Sequence, residues 1–292
     1  MLVSNSPKFE VIGHRGNPGN PLNSINIENT VGSFEDAWKL GADGIELDVI
    51  LSKDGSLMVH HDDKLGRVFI MPDSNEQGFI GEYSVGELGW KTVPNIKNLG
   101  SQYKGLEVRN HLTQSKHLLP TLDCVLIPKG KKLFLELKFI NDKYDKDSVT
   151  DKKYLENLVS KAVWFIEEHD LTDQVAVLCF VPEALDRVRE LNPGITTAYN
   201  VYQREADSPI KIKQAKKDFG FTVMNPPFEQ ATKEAINNMH SEGLRTYPWA
   251  WKQSPQEEID ETVRLIKDGA DGSINNQVKA ALEVRDKYSV RV

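Results

Sequence analysis

Gly44-Ile45-Glu46-Leu47-Asp48-Val49 is the stretch whose reading decides the fold. As a strand it alternates with period two, so Ile45, Leu47 and Val49 share one face and Glu46 and Asp48 share the other. Two carboxylates side by side repel unless something cationic lies between them. A strand with acids on one face and only aliphatics on the other suits a barrel, which has an inside and an outside. In that reading the acids form a metal site facing the barrel interior. The plainer alternative is an edge strand with a solvated acidic face.

Gly41 and Lys53-Asp54-Gly55 punctuate this strand on either side. Upstream, Phe9-Glu10-Val11-Ile12-Gly13 reads as a short buried strand ending at His14-Arg15-Gly16, and a Gly/Pro/Asn-rich loop follows. Val31, Phe34, Ala37, Trp38 and Leu40 fall at helical spacing, with Asn29 or Thr30 as cap and Gly41 as stop. Strand, helix and strand make a βαβ unit, so the two strands are expected to be parallel. Leu57-Met58-Val59-His60 reads as a third strand, ending in His61-Asp62. From Leu133 onward strands and helices alternate regularly, with strands near Leu133, Gln174, Thr196, Phe221, Leu244 and Gly272.

This alternation predicts an α/β chain with a parallel sheet wrapped by helices. The choice lies between an open doubly wound sheet and a closed (β/α)8 TIM barrel. No G-x-G-x-x-G follows the first strand, which removes the main support for a dinucleotide fold. The expectation is therefore a single barrel domain over 1–292, with an insertion after the third strand and a lid-like segment at about 68–118. Nine candidate strands are one too many for the barrel, and one of those near Thr196, Phe221 or Gly272 is expected to lie outside it. The part from Lys91 to Leu118, with Tyr103, Lys104, Arg109, His111 and Lys116, is expected to cover the alcohol end of a substrate.

A chain of 292 residues, 39% hydrophobic and 27% charged, has the make-up of a soluble globular protein with a sizeable core. A net charge of -7 without a long basic run argues against a nucleic-acid partner. Met1 to Glu10 lacks the charged start and apolar run of a secretory signal, and no stretch approaches the ~20 apolar residues of a membrane span. Two cysteines far apart, Cys124 and Cys179, exclude a disulfide framework and fit a reducing, cytoplasmic setting. The sequence sets no oligomeric state.

In a barrel, catalytic groups sit at the C-terminal ends of strands. Four successive strand ends offer His14-Arg15, then Glu46 and Asp48, then His61-Asp62, then Glu136 and Lys138 on one face of Leu133-Phe134-Leu135-Glu136-Leu137-Lys138. Taken singly, each has a dull explanation; the joint occurrence favours function. Three carboxylates suit a hard divalent cation such as Mg²⁺ or Ca²⁺ better than zinc. Arg15 and Lys138 suit a phosphate. Two histidines can divide general base and general acid roles. Cleavage of a metal-bound phosphodiester uses all of these parts.

His14-Arg15-Gly16, Glu28-Asn29-Thr30, Gly41-Ala42-Asp43-Gly44-Ile45-Glu46-Leu47-Asp48-Val49, Asp54-Gly55 and His61-Asp62-Asp63 with Leu65 and Arg67 follow one another in order. Together with Leu119-Pro120-Thr121-Leu122 and Leu135-Glu136-Leu137-Lys138, this series resembles the glycerophosphodiester phosphodiesterase family. Past Lys138 the match thins: Cys179-Phe180 stands for the usual Ser-Phe, and Trp249 or Trp251 falls where an aromatic strand end is expected. Gly269 to Asn276 resembles an ending that normally closes in Thr-Asp.

The resemblance implies a (β/α)8 barrel that hydrolyses a small-molecule glycerophosphodiester to glycerol 3-phosphate and an alcohol. It implies His14 and His61 as the acid–base pair, Glu46, Asp48 and Glu136 as metal ligands, and Arg15 and Lys138 as phosphate binders. Glu28 and Asn29 would support metal or substrate, and Trp249 would line the site. Only one of the adjacent His60 and His61 can face the mouth. Family spacing and Asp62 favour His61, with His60 packed outside under a helix. Attack by the substrate's own hydroxyl, through a cyclic phosphate, and attack by water both stay open. Two other classes remain: a phospholipase D-like lyase, which would release cyclic phosphates, and a non-catalytic phosphate- or metal-binding barrel, which would bind without turnover.

Overall fold

The computed structural model describes residues 8–18, 26–73, 77–95, 118–202, 208–251 and 254–289. The strands are β1 (Glu10–Gly13), β2 (Gly44–Leu51), β3 (Leu57–Val59), β4 (Phe69–Ile70), β5 (Val93–Pro94), β6 (Lys132–Leu137), β7 (Val175–Cys179), β8 (Thr196–Asn200), β9 (Val223–Asn225) and β10 (Gly272–Asn275). The helices are α1 (Val31–Leu40), α2 (Val85–Lys91), α3 (Val149–Glu168), α4 (Pro182–Leu191), α5 (Pro209–Phe219), α6 (Lys233–Ser241), α7 (Pro255–Asp268) and α8 (Val278–Ser289). Local chemistry sets their ends. Thr30 caps α1 by accepting from the Ser33 N–H, and Gly41 ends it at φ 95°.

Parallel pairing runs in the order β10-β1-β2-β6-β7-β8-β9. The ring closes through segment 245–249, which bridges Val223 to Arg245 on one side and Trp249 to Ile274 on the other. Backbone bonds from Met224 N to Arg245 O (3.0 Å) and from Ile274 N to Pro248 O (2.8 Å) seal the two joins. The result is a (β/α)8 barrel of the TIM type.

The ninth strand is not where the sequence reading put it. The segments near Thr196, Phe221 and Gly272 all belong to the ring, as β8, β9 and β10. The extra strand is β3, which pairs antiparallel with β2 through Val49↔Val59, Ile50↔Met58 and Leu51↔Leu57. A parallel neighbour needs a crossover of a dozen or more residues, and the short link through Asp54-Gly55 allows only a hairpin. In barrel order the insertion therefore lies between the second and third ring strands. Glu136 is correspondingly one ring strand from Asp48, directly paired with it in register.

Alternation divides the barrel cleanly. Ile45, Leu47, Val49, Leu133, Leu135, Leu137 and Val177 join the core under the helices, with Phe34, Ala37 and Leu158. Ile12, Phe134, Leu178, Ala198, Val223 and Ile274 fill the interior. A third cluster holds the described part of the insertion onto the β2–β3 hairpin, through Ile50, Met58, Val68, Phe69, Ile80 and Leu88. Segment 96–117, which includes Tyr103, Lys104, Arg109, His111 and Lys116, lies outside the described residues.

Ring closure leaves no room at Gly272, where a Cβ would come within 2.4 Å of the Glu10 carbonyl oxygen and 2.7 Å of the Tyr247 ring. Gly272→Ala should therefore cost about 1–3 kcal/mol, the usual scale of overpacking. Urea unfolding would show this as a lower midpoint at constant slope, and an unchanged midpoint would contradict the close approach.

Candidate active site

Glu46 and Asp48 from β2 and Glu136 from β6 face the interior at the C-terminal end of the ring. All three are buried, and one ligand oxygen from each lies within 4.8 Å of the others. Among the described residues they are the only such group of three His, Cys, Asp or Glu side chains. Burial, and then the charges of Asp48 and Glu136, push Glu46 well above the usual carboxylate range. Burial also raises Glu136, against the pull of Lys138. At Asp48 burial is outweighed by His61, Arg15 and Lys138, and its pKa falls. The Glu46 Oε1 atom is buried without a hydrogen-bond partner. Three converging hard oxygen donors, one of them orphaned, fit a divalent cation.

The loop after β1 supplies the next groups. Arg15 adopts φ 55° and Asn29 φ 56°, two left-handed non-glycine residues in one small region. The Arg15 turn aims its backbone N–H at Glu46 Oε2, 2.8 Å away. Asn29 donates from Nδ2 to Asp48 Oδ2 at 2.7 Å and so fixes that carboxylate. Gly16, at φ 86°, lets the loop lie against α1, where a Cβ would sit 2.4 Å from Ser33 Oγ. The Arg15 guanidinium donates to Glu28 Oε1 at 2.9 Å, while its buried Nε, without a hydrogen bond, pairs with Asp48 Oδ2 at 3.5 Å. Glu28 accepts from Arg67 as well, at 2.7 and 2.8 Å, so it anchors two arginines and does not join the carboxylate group.

The hairpin explains the position of His61. β3 runs back along β2 until His60 N donates to Asp48 O at 3.0 Å. His61 then lines the same cleft as His14. Its Nδ1 lies 2.7 Å from Asp62 Oδ1, and Asp62 is held in turn by Arg67 Nε at 2.7 Å. His60 is buried, with Nδ1 against the Asp62 backbone and its ring 6.1 Å from Phe69. It packs under the insertion, not under a helix as the sequence suggested. His14 Nε2 lies 4.0 Å from Glu46 Oε2. Burial, then the Arg15 charge, lowers the His14 pKa to about 3, so its ring is neutral.

Lys138 donates to Glu136 Oε1 at 2.7 Å and lies 3.1 Å from Asp142 Oδ1. These anions, Glu136 first, outweigh burial and hold its ammonium charged. Trp249 lines the cleft with its Nε1–H turned to the Asn225 carbonyl at 3.1 Å. The cleft holds about 360 Å³, and all the sequence-selected residues except Asp48, Glu28 and Asn29 line it.

Sequence reasoning missed the supports. Asn200 donates to Glu136 Oε2 at 3.1 Å, and Asn276 meets His14 Nδ1 at 2.8 Å. It also missed an aromatic wall in which Phe180 stacks on Tyr202 at 3.9 Å and Trp249 stands 6.0 and 5.9 Å from them. The available signal was asparagine at the ends of β8, β9 and β10.

A model of the glycerophosphoryl diester phosphodiesterase family matches residues 14–280. A glycerophosphodiester phosphodiesterase of Caldanaerobacter subterraneus subsp. tengcongensis is 27% identical over 277 residues, covering 95% of this chain and 98% of its own. Among solved structures, a glycerophosphodiester phosphodiesterase from Agrobacterium tumefaciens superposes with a TM-score of 0.67 at 18% identity, covering 95% of this chain and 99% of its own. An Oleispira antarctica phosphodiesterase, in complex with the product sn-glycerol-3-phosphate, gives 0.69 at 20% identity and covers 96% and 97%. At these identities the two structures speak for the fold.

Three buried acids strain one another when no cation is supplied. Glu46→Gln should therefore raise the melting temperature of chelator-treated protein by about 2–4 °C, the shift that about 1 kcal/mol produces in a chain of this size. It should also remove most of the stabilisation that added Mg²⁺ or Ca²⁺ gives. Thermal melts in EDTA and in each cation would show both effects; a lower melting temperature in EDTA with the cation response intact would contradict them.

Proposed function

This chain belongs to the glycerophosphoryl diester phosphodiesterase family, and on that premise we propose that it hydrolyses glycerophosphodiesters to glycerol 3-phosphate and an alcohol. One divalent cation, Mg²⁺ or Ca²⁺, would be held by Glu46, Asp48 and Glu136. The observation that carries this reading is a group of three buried carboxylates, two of which, Glu46 and Glu136, line one cleft with two histidines and Arg15. When bound, the cation supplies charge that polarises the phosphoryl group and lowers the pKa of a coordinated hydroxyl. The product in the Oleispira complex supports the same product here.

Arg15, whose Nε lies 3.5 Å from Asp48 Oδ2, would turn its guanidinium to a phosphate oxygen, and Lys138, which lines the same cleft, would add a point charge. His14 Nε2 then takes the proton of the attacking hydroxyl. His61, held at Nδ1 by Asp62, gives a proton to the leaving alcohol. The same pair serves attack by a neighbouring substrate hydroxyl, with water opening the cyclic phosphate, or attack by water at once. Glu28 and Asn29 position Arg15 and Asp48.

The leaving alcohol faces the aromatic wall. Tyr202 already donates its hydroxyl to Asp142 at 2.5 Å, and Trp249 gives its N–H to Asn225. The wall therefore meets the alcohol with ring faces. A cytoplasmic setting belongs to the same proposal; Cys124 and Cys179 are free thiols, and no described helix is long and apolar enough to cross a membrane.

Release of glycerol 3-phosphate from a panel of glycerophosphodiesters tests the reading. Turnover should vanish in EDTA and return with Mg²⁺ or Ca²⁺. His14→Ala and His61→Ala should each lower kcat by at least ~100-fold, whereas His60→Ala should lower thermal stability and leave kcat within a few fold. Full turnover in excess chelator, or an inactive His60→Ala beside an active His61→Ala, would overturn it.

A further inference from the structure

Glu258 is a buried carboxylate with no part in the chemistry described above. It stands in the first turn of α7, behind the end of β10. Its Oε1 accepts from Gln277 N at 2.8 Å, and its Oε2 accepts from Asn276 Nδ2 at 3.1 Å. The other end of the Asn276 amide, Oδ1, lies 2.8 Å from His14 Nδ1.

These contacts fix a direction. Burial raises the Glu258 pKa, while hydrogen bonds from Gln277, Asn276 and Asn275 favour its charged form; as a carboxylate it only accepts, so Asn276 faces it with its NH₂ group. Its carbonyl oxygen then faces His14, and that oxygen too can only accept. His14 must therefore carry its proton on Nδ1, which leaves the lone pair on Nε2, the nitrogen nearer Glu46. We propose that Glu258 selects the tautomer of His14 through the Asn276 amide and so makes Nε2 the base. Glu258 and Asn276 are positioning residues in this scheme. The inference rests on the role given to His14 above.

The scheme differs from simple packing because it has a polarity that can be reversed. Glu258→Gln puts an NH₂ group within reach of Asn276. The Asn276 amide must then turn, presenting its own NH₂ to His14 Nδ1 and moving the ring proton to Nε2. Asn276→Asp alone sets two buried carboxylates against each other. Combining Glu258→Gln with Asn276→Asp restores a donor at 258, an acceptor at 276 and the Nδ1–H tautomer.

Nitrogen-15 shifts of the His14 ring in the wild-type protein should show Nδ1 protonated and Nε2 bare. Glu258→Gln should reverse the two and lower kcat by ~100-fold, the scale of a misplaced catalytic proton, with KM within about threefold of wild type. The double variant should recover both the wild-type ring shifts and a kcat within about tenfold of wild type. The inference is overturned if the wild-type ring is protonated at Nε2, or if Glu258→Gln keeps both ring shifts and kcat. A folded double variant no better than Glu258→Gln overturns it as well. Should the variants fail to fold, the wild-type shifts decide alone. Failure of His14's proposed role would show separately, as turnover retained by His14→Ala.

Discussion

Three buried carboxylates with oxygens within 4.8 Å of one another repel, and the surrounding chain is arranged around that repulsion. Register alone makes it unavoidable. Asp48 and Glu136 are paired residues on adjacent parallel strands, and Glu46 is two residues along the same face. Each acid has a neutral hydrogen-bond donor, the Arg15 backbone on Glu46, Asn29 on Asp48 and Asn200 on Glu136, and two of them also meet a cation, Lys138 on Glu136 and Arg15 on Asp48. These contacts orient the oxygens and offset part of the charge, yet Glu46 and Glu136 still have raised pKa values. A divalent cation held there would cancel the rest, which would link the fold to the proposed chemistry.

The cations around the three acids are themselves held by anions. Arg15 and Arg67 share Glu28, Arg67 also holds Asp62, and Asp62 holds His61. Lys138 is tied to Glu136 and Asp142. Each positive side chain near the phosphate position thus has an anionic partner that sets its orientation before substrate arrives. On the proposed assignment such ordering would remove part of the entropy cost of binding and hold the two histidines ready.

Much of this was legible in the chain itself. Alternation around Glu46 and Asp48 separates an aliphatic outer face from an acidic inner one, and the Thr30 cap and Gly41 stop delimit α1 as their residue types require. The hairpin was also written in the sequence, since Asp54-Gly55 between two apolar runs is a turn signal and five residues cannot make a parallel crossover. Counting β3 as a ring strand ignored that length. The stretch from Leu244 reads as a strand in the sequence, yet segment 245–249 joins the ring through isolated bridges. What could not be read were partners distant in sequence. Arg67 reaches Glu28 across 39 positions and Asn276 reaches His14 across 262, and no local pattern encodes either contact. His60 and His61 differ in fate because the insertion supplies Phe69 to cover one of them.

The central claim is that the repulsion among Glu46, Asp48 and Glu136 is resolved by one cation coordinated to all three. Anomalous diffraction from a crystal soaked in Mn²⁺, a hard octahedral ion that stands in for Mg²⁺, tests it directly. The account predicts a single strong peak within coordination distance of an oxygen from each of the three carboxylates. A cleft without a peak in a Mn²⁺-saturated crystal, or a peak that leaves any of the three unliganded, would contradict it.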